Sequence, residues 1–114
     1  MPTAAEVTVP RVYYEKAKVI VDGKAEFNGT LELEWKPQNG QAKLIQVNVL
    51  AKSKSKDIAR DIHKELVLAA GNSYKVKLNG ERIELAKTNK KVPYFAITIT
   101  KLQVSGVGVR VEKN

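Results

Sequence analysis

Hydrophobic and polar residues alternate along much of the first fifty positions, with the period of two that is typical of half-buried β-strands. Residues 30–35 show this most clearly, with two leucines and Trp35 on one side and two glutamates on the other. Asp22-Gly23 suits the positive φ angles of a tight turn and predicts a hairpin there. The strands predicted from this half of the chain cover residues 12–21, 24–27, 30–35 and 42–50.

The period changes over residues 55–70, where apolar side chains recur at the three- and four-residue spacing of one helix face. Ser55 is a suitable N-cap, because its hydroxyl can accept a hydrogen bond from a free N–H of the first turn. Asp57 lies in the predicted first turn, where a negative charge is stabilised by the positive end of the helix dipole. Gly71 follows the last apolar position and is typical of a residue that ends a helix. The segment predicts one amphipathic helix of about four turns, with Ile62 in the core.

After the helix, Asn79-Gly80 separates two alternating segments and is the strongest hairpin signal in the chain. With these two residues as the loop, Val76 faces Ile83 on the core side. Two more strands are predicted, over residues 94–100 and 104–111, and Ile97 is expected in the core. Glycines interrupt the last strand at 106 and 108, which indicates a bulge or a close backbone approach.

These elements together predict an α+β fold that is mostly β. We expect about seven or eight strands in two antiparallel sheets, or in one curled sheet, packed with a single amphipathic helix near residues 55–70. Residues 1–11 contain two prolines and have no clear period, so they are predicted to form a flexible arm. Residues 12–114 are predicted to form a single β-rich domain.

Composition narrows the possible chemistry. The chain has 114 residues, no cysteine and one histidine, His63, so disulfides, a thiolate nucleophile and a Cys-built zinc site are excluded. Glu32 and Glu34 share a strand face, but neighbouring acids on an exposed strand are typical of a solvated surface. Neither an enzyme nor a metal or other cofactor is expected. No apolar run approaches the roughly 20 residues that span a bilayer, so no membrane partner is expected.

The formal net charge of +8 lies in the second half of the chain. Residues 1–50 hold six basic and six acidic residues, whereas residues 51–114 hold 14 basic and six acidic ones. Such asymmetry is typical of a face that meets nucleic acid or an acidic partner, although solvated loops that aid solubility have the same composition. The candidate contact residues form two lysine-rich loops: Lys52, Lys54, Lys56, Lys87, Lys90 and Lys91.

Aromatic residues lie among these basic positions, as they do in proteins that bind single-stranded nucleic acid. Tyr74 and Phe95 nevertheless fall on faces predicted to be core, where aromatic rings pack against one another. Tyr13, Tyr14 and Tyr94 have no such assignment. Both interpretations of the aromatic residues therefore stay open at this point.

Between residues 19 and 100, a helix with Ile58, Ala59 and Ile62, the segment Tyr74-x-Val76 and the strand Phe95-x-Ile97-x-Ile99 follow one another. This order of elements resembles a module of tailed-bacteriophage structural proteins. A hydrophobic-Ala-x-x-Ile helix is followed there by a Tyr-x-Val hairpin and a Phe-x-Ile-x-Ile strand, and similar sequences occur in bacterial surface and appendage proteins. The chain departs from the usual form in its basic loops and in the hydrophilic residues 36–46. The matching positions are Ile58-Ala59-x-x-Ile62, Tyr74-x-Val76, Gly80, Ile83-x-Leu85 and Phe95-x-Ile97-x-Ile99.

The resemblance implies a non-enzymatic virion structural protein of a tailed phage, self-assembling in the tail, neck or capsid surface. Its expected location is the virion, assembled in the host cytoplasm, and its expected partners are copies of itself and other virion proteins. The charge supports an alternative, a small basic nucleic-acid-binding or inhibitor protein that acts through the lysine-rich loops.

Overall fold

The computed structural model describes residues 12–114, so the predicted arm over residues 1–11 lies outside the described part of the chain. The described residues form seven strands, one α-helix and a short 3-10 turn, Gly71–Ser73, that follows the helix. The elements in chain order are β1 Lys16–Gly23, β2 Gly29–Pro37, β3 Lys43–Val49, α1 Ser55–Ala70, β4 Tyr74–Asn79, β5 Arg82–Lys87, β6 Phe95–Gln103 and β7 Val107–Lys113.

The strands form two antiparallel sheets, which confirms the predicted mostly β, α+β fold. One sheet has four strands in the order β4-β5-β1-β7, and the other has three in the order β3-β2-β6. Strands β6 and β7 contact each other where the two sheets meet, and helix α1 packs against strands of both sheets. β4-β5 and β2-β3 are neighbours both in sequence and in their sheets, whereas β1 pairs over long range, which brings residues 16–23 beside residues 82–86 and 107–113.

The core lies between the inner faces of the sheets and the helix. Alternate residues of β1 and β2 are fully buried, as the alternation predicted, and four residues on one face of α1 are buried with them. Trp35, Ile62 and Ile97 are at most 5% exposed, which confirms their predicted place in the core. No buried polar or charged residue is found among the described positions, so the interior is held by apolar packing.

The hairpin predicted at Asp22-Gly23 is wrong. β1 continues through Gly23 and the chain then crosses to the other sheet, so residues 24–27 form no strand. Their backbone groups instead bond to two distant loops: Lys24 N–H donates to Gly106 O, and Ala25 N–H donates to Ser53 O, both at 2.9 Å. The local turn signal could not show that the hydrogen-bond partners of these residues lie far away in the sequence.

The hairpin between β4 and β5 exists, but its predicted register is off by two. Val76 pairs with Leu85 rather than with Ile83, because the two-residue loop is Gly80–Glu81. Gly80 has a φ of +65°, and Glu81 has no positive φ. A glycine at the first loop position with an ordinary residue after it favours a type II′ turn, whereas Asn-Gly in the loop favours type I′.

The start of the helix also differs from the prediction. Ser55 is the first helical residue and Lys54 is the N-cap, so the Ser55 hydroxyl donates to the Glu81 carboxylate at 2.9 Å. Asp57 takes over the capping function, since its carboxylate accepts the Lys54 N–H at 3.2 Å. Asp57 also pairs with Arg60 one turn later. An acid in the first turn therefore stabilises this helix end, as its position predicted.

The predicted close backbone approach in the last strand is confirmed. Gly106 has a φ of +87°, and a Cβ atom there would overlap with the carbonyl oxygen of Lys24. A Cβ atom at Gly108 would meet the Asp22 carboxylate, which is a side-chain group and not backbone. The absence of side chains at these two positions lets β7 pass directly over the crossing between the sheets.

Candidate functional site

The six candidate lysines form two separate groups at opposite ends of α1. Lys52, Lys54 and Lys56 surround the start of the helix. Lys87 and the loop after it adjoin the other end, because Thr88 bonds to Ser73 O through both its N–H (3.2 Å) and its hydroxyl (2.8 Å). A 16-residue helix is about 24 Å long. The structure therefore does not combine the two groups into one surface.

The loop that carries Lys52 is fixed by backbone bonds to the crossing between the sheets. Lys52 has a φ of +71° and donates its N–H to Ala25 O at 2.7 Å. Ala51 N–H donates to the Asn28 side chain at 2.7 Å. Two large apolar side chains, Phe27 and Leu50, are 69% exposed in these loops. No aromatic ring is described against the lysines of this group.

The loop at the other helix end combines lysines with an exposed aromatic ring. The Lys87 ammonium lies 4.4 Å from the centroid of the Tyr94 ring, and Tyr94 is 44% exposed. Asn89 orders the loop, because its side-chain oxygen accepts the Lys91 N–H at 2.8 Å. The loop is anchored to the core by Tyr74, whose hydroxyl donates to Pro93 O at 2.8 Å. Of the two predicted lysine groups, this is the one in which a lysine is described against an aromatic ring.

The aromatic residues divide between core and surface. Trp35 stacks on Phe95 with ring centroids 5.1 Å apart, and Tyr74 packs edge-on to both, at 4.9 and 5.6 Å. This confirms Tyr74 and Phe95 as core residues. Tyr14 meets Phe95 at 6.3 Å, whereas Tyr13 is half-buried and its hydroxyl accepts a hydrogen bond from Lys36 at 3.2 Å. The ring of Tyr13 is also 5.6 Å from the same ammonium.

Burial raises the pKa of the Tyr74 hydroxyl above its ordinary value of 10.0. Because the folded pKa exceeds the unfolded one, the resulting stability is full below about pH 10 and is lost as the pH rises through the folded pKa. Tyr74→Phe is expected to cost about 1 kcal/mol at neutral pH, since the bond to Pro93 is lost. The variant should also lose less stability than the parent above about pH 10.

Denaturant unfolding of the parent and of Tyr74→Phe, at neutral pH and again above about pH 10, measures this difference. The other tyrosines are present in both proteins and cancel in the comparison. Equal alkaline losses in the two proteins would show that Tyr74 does not titrate differently on folding.

His63 closes the edge of the four-stranded sheet. Its Nε2 donates to the Val76 carbonyl at 3.2 Å, on the side of β4 that faces away from β5. The helix packs against this strand, and the His63 bond satisfies one backbone carbonyl on its outer edge. His63 is therefore a half-buried residue at the boundary between the helix and this sheet.

The outer edge of β3 in the three-stranded sheet has no strand beside it and is open to pairing, while α1 packs against β3 as it does against β4. Within residues 12–114, β3 pairs with β2 alone, and no other backbone group is described as bonding to it. Exposed leucines flank this edge: Leu44, on β3 itself, is 66% exposed, and Leu68, near the end of α1, is 72% exposed. Lys43 links the two elements, because its ammonium donates to Ala69 O at 3.2 Å.

Sequence reasoning did not identify the β3 edge as distinct. Its alternation predicted a strand, but an edge is defined by which strands pair, and those pairings are long-range. The exposed Leu44 is the one local signal, since it stands on the polar side of an otherwise regular alternation.

Catalytic groupings are not apparent in the described part of the chain. No three His, Asp or Glu side chains of residues 12–114 come together in a way that could hold a metal ion. Glu32 accepts a hydrogen bond from Thr100 at 3.0 Å. None of the described helices has the length and apolar character needed to span a bilayer.

Comparison with known proteins gives no further assignment. No protein-family model matches the chain, and no curated protein matches it.

Proposed function

We propose that this chain is a non-enzymatic structural subunit of a tailed-phage virion, which assembles with copies of itself and with other virion proteins. The module resemblance motivates the virion assignment. The open β3 edge is the observation that carries self-association, since an unpaired strand edge offers N–H and C=O groups to a strand of another subunit. The exposed Leu44 beside it adds apolar surface to the same region.

The sequence of β3 is compatible with pairing to its own copy. Antiparallel pairing about Gln46 places Ile45 opposite Val47 of the second copy. The buried faces of the two three-stranded sheets, one from each copy, then lie on the same side of the combined sheet. Lys43 is the one charged residue of β3, and it falls opposite Val49. No like charges face each other in this register, and a two-fold pair would form one continuous six-stranded sheet.

Gln46→Lys is expected to weaken this self-association at least tenfold. In the proposed pair, residue 46 lies opposite itself, so the substitution places two positive charges directly across from each other. Gln46 is exposed, and the monomer fold should be kept. Gln38→Lys makes the same chemical change in the exposed turn after β2 and serves as the matched control.

Size-exclusion chromatography with light scattering, over a range of protein concentrations, measures the effect. We expect the parent and Gln38→Lys to associate alike, and Gln46→Lys to shift to the monomer. A parent protein that stays strictly monomeric and binds no other virion protein would overturn the proposed function. Equal association of all three proteins would place the interface elsewhere. Negative-stain microscopy then shows whether the two-fold pair assembles further through a second, heterologous contact.

A further inference from the structure

The surface around Tyr94 forms a continuous set of shallow hollows. A hollow of about 780 Å³ lies between Tyr13 and Lys113, and one of about 260 Å³ lies over the loop from Lys87 to Pro93; Tyr94 lines both. A third, of about 340 Å³, crosses the outer face of the four-stranded sheet and shares Lys87 with the second. We call these three hollows together the Tyr94 surface.

The Tyr94 surface is strongly basic. Seven lysines and three glutamates line the three hollows. The hollow over the Lys87 loop has three lysines and no acid. One of the three glutamates, Glu112, is already paired with Arg110, at 2.6 Å. The field of this surface therefore attracts a polyanion.

Aromatic rings lie within the same surface. Tyr94 is 44% exposed beside the Lys87 ammonium, and Tyr13 lies at the far side of the largest hollow beside Lys36. Proteins that bind single strands combine a positive groove along the backbone with rings on which bases stack. A duplex keeps its base faces stacked inside, so exposed rings in a shallow basic groove favour an unpaired strand.

We propose that the Tyr94 surface binds single-stranded nucleic acid, with Lys87, Lys90 and Lys91 at the phosphates and Tyr94 against a base. The lysine group at the start of the helix takes no part, because none of its lysines is described in a cation–π contact and it lies at the opposite end of α1, a helix about 24 Å long. The proposal uses no residue of β3, so it can hold or fail independently of self-assembly.

Fluorescence anisotropy with a labelled oligothymidylate tests the proposal at about 50 mM salt and above. The triple variant Lys87→Gln, Lys90→Gln, Lys91→Gln should reduce the dependence of log K on log salt by about 2 units and weaken binding at least tenfold. The matched control is Lys52→Gln, Lys54→Gln, Lys56→Gln, which removes the same charge at the other end of α1. The control should stay within about twofold of the parent in affinity.

Tyr94→Ala is expected to weaken binding about fivefold to a hundredfold, because one stacking ring is lost. Tyr94→Phe keeps the ring and should bind as the parent does. A labelled duplex of equal length should bind more weakly than the single strand. Absent binding by the parent, equal losses in both lysine variants, or preference for the duplex would each overturn the proposal.

Discussion

Replacing Trp35 with alanine is expected to lower the free energy of unfolding by about 3–5 kcal/mol. Trp35 is 1% exposed on the inner face of β2, where it stacks on Phe95 and meets the edge of Tyr74. Its removal leaves a cavity among rings from three separate strands, β2, β4 and β6. Aromatic pairs of this geometry add about 0.5–1.5 kcal/mol beyond the buried area, so the loss should lie in the upper part of the range for large-to-small changes.

Urea unfolding followed by far-ultraviolet circular dichroism measures the change without relying on the fluorescence of the residue removed. Trp35→Phe is the matched variant, since it keeps one ring in the cluster, and we expect it to cost only about 1–2 kcal/mol. Trp35→Phe should remain folded even if Trp35→Ala is too unstable to study, because the total free energy of unfolding of a small domain is about 5–15 kcal/mol. A loss below about 1 kcal/mol for Trp35→Ala would contradict the central place of this cluster.

Elements specified by local periodicity were predictable from the sequence. The clean alternation around Trp35 gave β2 its strand and its buried face, and the three- and four-residue spacing around Ile62 gave α1 within a residue at each end. In both segments the local preference and the tertiary environment agree. A buried face needs the same apolar pattern whichever strand or helix lies against it.

Pairing was not predictable, because it depends on residues far apart in the chain. β1 lies between β5 and β7, whose sequences come more than 50 residues later, so the local turn signal at Gly23 led to a false hairpin. The hairpin at Gly80 was predicted correctly, but its register was wrong for a smaller reason. Asn79 and Gly80 suit one turn type and Gly80 and Glu81 another, and the choice shifts the register by two residues.

The candidate site shows the same division. Lysine runs are visible in sequence, but only the fold shows that Lys52 and Lys87 lie at opposite ends of α1. Likewise Tyr74 and Tyr94 are both tyrosines among lysines, yet one is buried against Trp35 and the other is exposed. A side chain is exposed or buried according to which face of its strand meets the core. The residues that share the Tyr94 surface could therefore be identified only once the sheets were known.

Ile62→Ala is expected to lower the free energy of unfolding by about 2–5 kcal/mol. Ile62 is fully buried at the centre of the apolar face of α1, the element that contacts both sheets. Its truncation leaves a cavity between the helix and the two sheets. Because the two sheets cannot both move toward the helix to fill this cavity, most of the lost packing energy should not be recovered. The position therefore belongs to the core of the single chain and not to an interface between subunits.

Leu68→Ala is the matched control on the same helix, because Leu68 is 72% exposed. We expect it to change the free energy of unfolding by less than about 0.5 kcal/mol. Denaturant unfolding of both variants at several protein concentrations separates packing within the chain from packing between chains, since only the latter depends on concentration. If the loss in Ile62→Ala disappeared on dilution, or matched that of Leu68→Ala, the apolar face of α1 would be an intersubunit contact and the core described for the monomer would be incomplete.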